Sequence, residues 1–107
     1  MIKEPDFIAE LYYHTAEEGG RATFAVTGYR PHIKFDVHEM QTSGSQHFIG
    51  TSQIYPGDNV MCKITMVSPQ IFKNLLEVGS KFKFMEGSRV IGFGVVNEIL
   101  NPILLKK

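Results

Sequence analysis

Few groups in this sequence have the chemistry to grip an anion, hold a metal or attack a carbonyl: Arg21, Arg30 and Arg89, four histidines and the single Cys62. The run EEGGRATFAVTGYRP over 17–31 places two glycines before Arg21, which suggests a phosphate-cradling loop. A nucleotide-gripping loop needs Gly-x-x-x-x-Gly-Lys-Ser/Thr between a strand and a helix, because backbone amides and the lysine grip the phosphates together. Gly19-Gly20-Arg21 has neither that spacing nor a helical pattern after it. Gly92-Phe93-Gly94 falls inside a strand pattern, which excludes a dinucleotide fingerprint. His32 and His38 share one face of an expected strand, but six residues at about 3.4 Å each hold them roughly 20 Å apart, beyond one ion's reach. His14 and His47 are isolated, so neither a metal nor a cofactor is expected. Cys62 lies in phase with Val60 and Ile64 and reads as a small core residue, since no base stands near it to make a nucleophile. Asp58 reads as a turn residue whose carboxylate caps local amides. With no acid-base pair and no nucleophile, catalysis is not expected.

The elements that must position these residues are strands. Residues 7–13 are apolar and aromatic between Pro5-Asp6 and a charged, glycine-containing turn. A second strand is expected over 22–27, with Gly28-Tyr29-Arg30-Pro31 as a corner. Ile33, Phe35 and Val37 then alternate with Lys34, Asp36 and His38. The polar run 39–46 reads as a flexible loop, followed by a short strand over 47–51 and a turn at Pro56-Gly57-Asp58. The clearest alternation places Val60, Cys62, Ile64 and Met66 on one face. A short helical turn is expected over 70–78, where Ile71, Leu75 and Val78 recur at helical spacing before Gly79. Alternation returns over 81–85, Glu86-Gly87-Ser88 turns, and a long last strand covers 89–99. In that strand Gly92 and Gly94 leave room on one face for a close neighbour. Such a series of short strands predicts an all-β chain closed into a small barrel, one domain over 1–107.

Composition sets the remaining bounds. A chain of 107 residues, 43% hydrophobic and with a formal net charge of zero, can bury one modest core and exerts no global pull on nucleic acid or anionic membrane. Any RNA contact must come from a few placed residues, and DNA binding is not expected. The stretch 90–105 is too broken by Gly, Asn and Pro to span a membrane of about 20 residues. With no apolar leader and one cysteine, a soluble cytoplasmic protein is expected.

Three motifs, in order, add a resemblance. EEGGRATFAVTGYRP resembles the segment of the third domain of bacterial translation elongation factor Tu in which Gly-Gly-Arg is followed by Gly-Tyr-Arg-Pro. The run 55–60, YPGDNV, resembles that domain's Met-Pro-Gly-Asp-Asn turn, and 86–96, EGSRVIGFGVV, its terminal Glu-Gly-Gly-Arg-Thr-Val-Gly-Ala-Gly-Val-Val. The resemblance spans about residues 6 to 100 and implies a closed six-stranded antiparallel β-barrel that hydrolyses nothing. In the factor, this barrel packs on the GTPase domain, contacts the T-stem backbone of aminoacyl-tRNA and helps to bind the exchange factor. Carried over by position, Arg21 matches an arginine that approaches tRNA phosphates, and Gly87 matches a glycine whose backbone meets the T-stem. His32 stands where the family has glutamine, Ala22 where it has histidine, and Ser68 where it has a basic or polar residue. Arg30 and Arg89 match family arginines as well, and beside tight turns both read as structural, holding corners through carbonyls or a carboxylate. The segment between Pro69 and Glu86 is longer than in the family by about four residues.

Two functions follow as expectations. One is a translation-related RNA module in which Arg21, His32, Lys34 and the backbone at Gly87 meet tRNA or other RNA weakly, because two or three phosphate contacts give only salt-sensitive affinity. The other is a protein-interaction module, or decoy, that no longer binds RNA and meets a translation GTPase or exchange factor. Exposed Met61, Val67 and Ile91, with Tyr29 and Tyr55 at corners, would serve the second reading.

Overall fold

The computed structural model describes residues 3–107. Six antiparallel strands form a closed barrel. They are β1 (Phe7–Tyr13), β3 (His32–Phe35), β4 (Gln41–Phe48), β6 (Asn59–Met66), β7 (Lys81–Glu86) and β8 (Arg89–Ile99), hydrogen-bonded around the barrel in the order β1-β6-β4-β3-β7-β8. β2 (Ala25–Val26) and β5 (Gln53–Ile54) form a separate two-stranded ribbon. The interior follows from alternation: Phe7, Ala9, Leu11 and Tyr13 of β1 face inward, as do Val60, Cys62, Ile64 and Met66 of β6. Phe7, Phe35 and Phe82 pack edge to face or tilted at 5.6–5.9 Å between ring centroids. Closure leaves the barrel strands with no free edge.

The two glycines of β8 are explained by these rings. Gly92 lies opposite Phe84 and Gly94 opposite Phe82. A Cβ at Gly92 would come 2.2 Å from Phe84 Cζ, and one at Gly94 2.4 Å from Phe82 Cζ. The room left by the missing side chains is filled by neighbouring phenyl rings.

Six local expectations need correction. The run 39–46 is largely strand, since β4 begins at Gln41, and β4 takes the place of the strand expected over 47–51. Its inward residues are Thr42, Gly44, Gln46 and Phe48, mostly polar or small, so hydrophobic alternation does not reveal it. Gly44 is tight against the core, where a Cβ would lie 2.3 Å from Ile33 Cδ1. The strand expected over 22–27 shrinks to the two residues of β2. The helical turn expected over 70–78 is only a 3-10 helix at Pro69–Phe72. Asn74 adopts a left-handed φ of 61°, and the amides of Asn74, Leu75 and Leu76 turn to the carbonyls of Ile103 and Leu104 at 2.7–3.0 Å. Phe72, Leu76 and Leu104 are buried together, while Val78 is exposed. β3 stops at Phe35, so His38 is off the strand, its ring packed on Phe72 at 5.3 Å and its Nδ1 accepting from the Met40 amide. Ile91, expected outside, is fully buried. Met85 pairs with Val90 and Phe84 with Gly92, so Ile91 is the extra residue of a β-bulge and turns inward. Met61 is partly exposed and Val67 exposed, as expected of them.

Candidate functional site

At one end of the barrel the β7–β8 turn gathers residues far apart in sequence. β7 ends at Glu86 and β8 begins at Arg89, with Gly87 exposed between them at a φ of +60°. The Arg21 guanidinium donates from Nη1 to Glu86 Oε2 and from Nη2 to the Phe24 carbonyl at 3.2 Å, with its carbon 4.8 Å from the Tyr29 ring centroid. The Tyr29 hydroxyl donates to the same Glu86 oxygen, and Arg89 Nη2 donates to Glu86 Oε1 at 3.3 Å. One carboxylate therefore organises two guanidiniums and a phenol. Burial alone would raise the Glu86 carboxyl, but the Tyr29 bond and the two guanidiniums outweigh it and hold the group below its ordinary value. Burial, then the bond to Glu86, pushes the Tyr29 phenol far above its ordinary range.

The nominated residues divide around this cluster. Arg21 and Gly87, 66 positions apart in the chain, meet through Glu86. His32 is exposed on β3 opposite Met85, one residue from Glu86. Arg89, with a side chain 58% exposed, bonds only that same carboxylate among the described residues. Arg21 is not a free surface cation: its side chain is 22% exposed and its charge is shared with Glu86. Arg30, expected to hold the corner, stands exposed, and among the described residues no side-chain hydrogen bond or ion pair holds it. Ser68 precedes the 3-10 helix without capping it by its side chain. Glu86 is the member missed by sequence reading. Its signal was a carboxylate one residue before the turn glycine, in a chain with several arginines that lacked an assigned partner.

Beneath the cluster the barrel holds a second polar pair. The buried Tyr13 hydroxyl donates to Gln46 Oε1, and burial first of all pushes that phenol far above its ordinary value. Cys62 is buried as expected, its thiol raised to about 12 by burial. Asp58 closes its turn by accepting from the Tyr55 amide at 3.3 Å. Among the described residues no group of three or more His, Cys, Asp or Glu side chains could hold a metal. Among the same residues no helix is long and apolar enough to cross a membrane.

The arrangement can position donors for an anion but has no nucleophile and base in contact. The motif stretches fall at two places: the Arg21 segment and the Glu86–Arg89 turn meet at the cluster, while Asp58 closes its own turn between β5 and β6. The family model described as the elongation factor Tu C-terminal domain matches residues 2–100. A closed six-stranded antiparallel barrel over nearly the whole matched length agrees with it, and the chain belongs to the elongation factor Tu C-terminal domain family.

Proposed function

We propose that this chain is a non-catalytic binding module of the translation apparatus, working in the cytoplasm, whose Glu86 end meets the phosphate backbone of tRNA or another RNA weakly. The observation that carries this reading is the cluster itself. Two guanidiniums on one carboxylate leave an uncompensated positive charge beside an exposed turn glycine, with Arg30 and His32 exposed nearby. Glu86 and Tyr29 fix the Arg21 plane before any ligand arrives, which lowers the ordering cost of a phosphate contact. Because so few cations take part, affinity should be modest and strongly salt-dependent.

The test is tRNA binding across a salt series with Arg21→Ala, Arg89→Gln and the parent, each checked for an intact fold by thermal melting. The expected result is a log-log slope of roughly −1 to −2 that falls by about one unit when Arg89 is neutralised. Affinity that ignores both arginines would overturn the reading.

A protein partner, such as a GTPase or an exchange factor, is favoured by a different observation. Phe24 and Tyr55 flank the β2–β5 ribbon, their rings 5.8 Å apart, both largely exposed together with Val26. A discrete protein that survives RNase in a pull-down and is lost with Phe24→Ser would support that reading.

A further inference from the structure

We propose that the outer face of the barrel wall formed by β1, β8, β7 and β3 is a binding site for single-stranded RNA, with bases stacked on Tyr12 and Phe93 and phosphates held by Lys83 and Lys34. The strand registers line these residues up in one cross-strand row. Asn59 of β6 pairs with Tyr12 of β1, Tyr12 with Phe93 of β8, Phe93 with Lys83 of β7, Lys83 with Lys34 of β3, and Lys34 with Gln41 of β4. Their neighbours along each strand, among them Leu11, Gly94, Phe82 and Ile33, face the interior, so the row points outward. Adjacent members stand about 4.8 Å apart, making a band of two aromatics and two ammonium groups bounded by amides.

Two features set this band apart from the rest of the barrel wall. Lys34 and Lys83 lie directly opposite each other, a pairing of like charges that weakens a sheet. Neither forms an ion pair among the described residues. Lys81 lies further along β7, and Arg30 and His32 continue the β3 side; among the described residues the carboxylates near the band are Asp36, just after β3, Glu10, beside Tyr12 on β1, Glu18, which accepts from the Tyr12 hydroxyl, and the engaged Glu86. In a chain with zero net charge the β7 and β3 half of the band, with Lys34, Lys81 and Lys83 against Asp36, is a local concentration of positive charge. The second feature is aromatic. Phe93 is 48% exposed, 5.4 Å from the Tyr12 ring and 6.0 Å from His14, and it forms the ridge between two shallow grooves. The groove on the Tyr12 side has about 360 Å3 and is lined by Glu10, Tyr12, Asn59, Phe93 and Val95, while the other, about 250 Å3, has His14, Asp36, Lys81 and Lys83 in its lining.

An anion satisfies the paired lysines, but an anion alone leaves the rings unused. A single-stranded nucleic acid supplies both parts at once, because every unpaired base offers a planar face to an aromatic ring while its phosphates remain free for cations. Duplex RNA does not fit, since its bases are already stacked. Asn59 and Gln41 at the ends of the row can bond exposed base edges. This site does not depend on Arg21, and its stacking residues and paired lysines lie outside the Arg21–Glu86 cluster, with Arg30 and His32 between the two.

The test is fluorescence anisotropy of a labelled oligouridylate of about 12 nucleotides, a length within the usual span of single-strand sites. Phe93→Ala should weaken binding at least about fivefold, the lower end of the loss from one stacked base. Lys34→Gln with Lys83→Gln should flatten the log-log salt slope by about 1.4, the value for two single-strand phosphate contacts. Arg21→Ala should leave oligouridylate binding within about twofold, since no contact of the band involves it. The proposal is overturned if both surface variants bind like the parent, or if an RNA duplex competes as well as the single strand for the binding that Phe93→Ala weakens. It is also overturned if an acidic peptide competes for a surface that Phe93→Ala leaves unaffected, or if saturation is absent up to about 100 μM, the weak limit of non-specific nucleic-acid affinity.

Discussion

Glu86 is the residue on which the candidate end turns, and its ionisation gives a direct test. Its folded pKa is held below the ordinary 4.5, so the stabilisation it gives is present above the unfolded value and disappears as pH falls through the lowered folded value. Melting temperatures of the parent and Glu86→Gln should therefore differ above about pH 5 and converge under acid. A constant difference across the series would show that the carboxylate charge plays no part. Two buried residues are accessible to the same kind of measurement. Tyr13→Phe leaves Gln46, whose Oε1 accepts the Tyr13 hydroxyl and whose Nε2 already lacks a partner among the described residues, with nothing to accept. The expected loss is about 1–3 kcal/mol in urea unfolding. Cys62, raised to about 12 and buried, should resist a disulfide reagent at pH 8 in the native protein, with modification following the rate of unfolding.

At the level of the elements, the barrel wall is most tightly constrained where β7 faces β8. Gly92→Ala would place a methyl 2.2 Å from a phenyl carbon and 2.4 Å from the Tyr12 carbonyl oxygen. The ring can move but the carbonyl belongs to the β1 ladder, so a destabilisation of about 1–3 kcal/mol or more is expected on chemical denaturation. A change under 0.5 kcal/mol, roughly the limit of ordinary surface substitutions, would mean that the strands separate more easily than their pairing suggests. The turn after Pro69 is held differently. Leu104 packs with Phe72 and Leu76 and its carbonyl accepts two amides, so the segment is fixed by residues about thirty positions later and not by its own helical propensity. Leu104→Ala should cost about 2–5 kcal/mol, a figure typical of a buried leucine, and should release amide protection at Leu75 and Leu76 first.

For the molecule as a whole, closure is the dominant fact. β1 pairs with β6 on one side and β8 on the other, so the first strand of the chain cannot settle until the last is present. Asp6, just before β1, ties the ends together: its carboxylate accepts from the Met66 amide at 2.7 Å and from Asn101 at 2.8 Å, and its carbonyl accepts from Leu100 and Asn101. Such long-range pairing predicts folding on the millisecond-to-second scale, slower than a helical chain of this size.

The sequence by itself determined the all-β class, the closed barrel, the inward positions of β1 and β6 and the buried thiol, because apolar alternation and glycine-marked turns are local signals that survive without coordinates, and three motifs in order carried the family. It could not show β4, whose inward face is threonine, glycine and glutamine, because those residues are interior only once Ile33, Ile64 and Tyr13 are placed against them. Nor could it show that Ile91 turns inward at a bulge, or that the run after Pro69 is tied to Leu104, since both depend on partners distant in the chain. The candidate end was half legible: Arg21 and Gly87 carried motif signals, but their meeting through Glu86 and the freedom of Arg30 were decided by tertiary structure. Charge pairing is set by distance in space, which the order of residues along a strand leaves open.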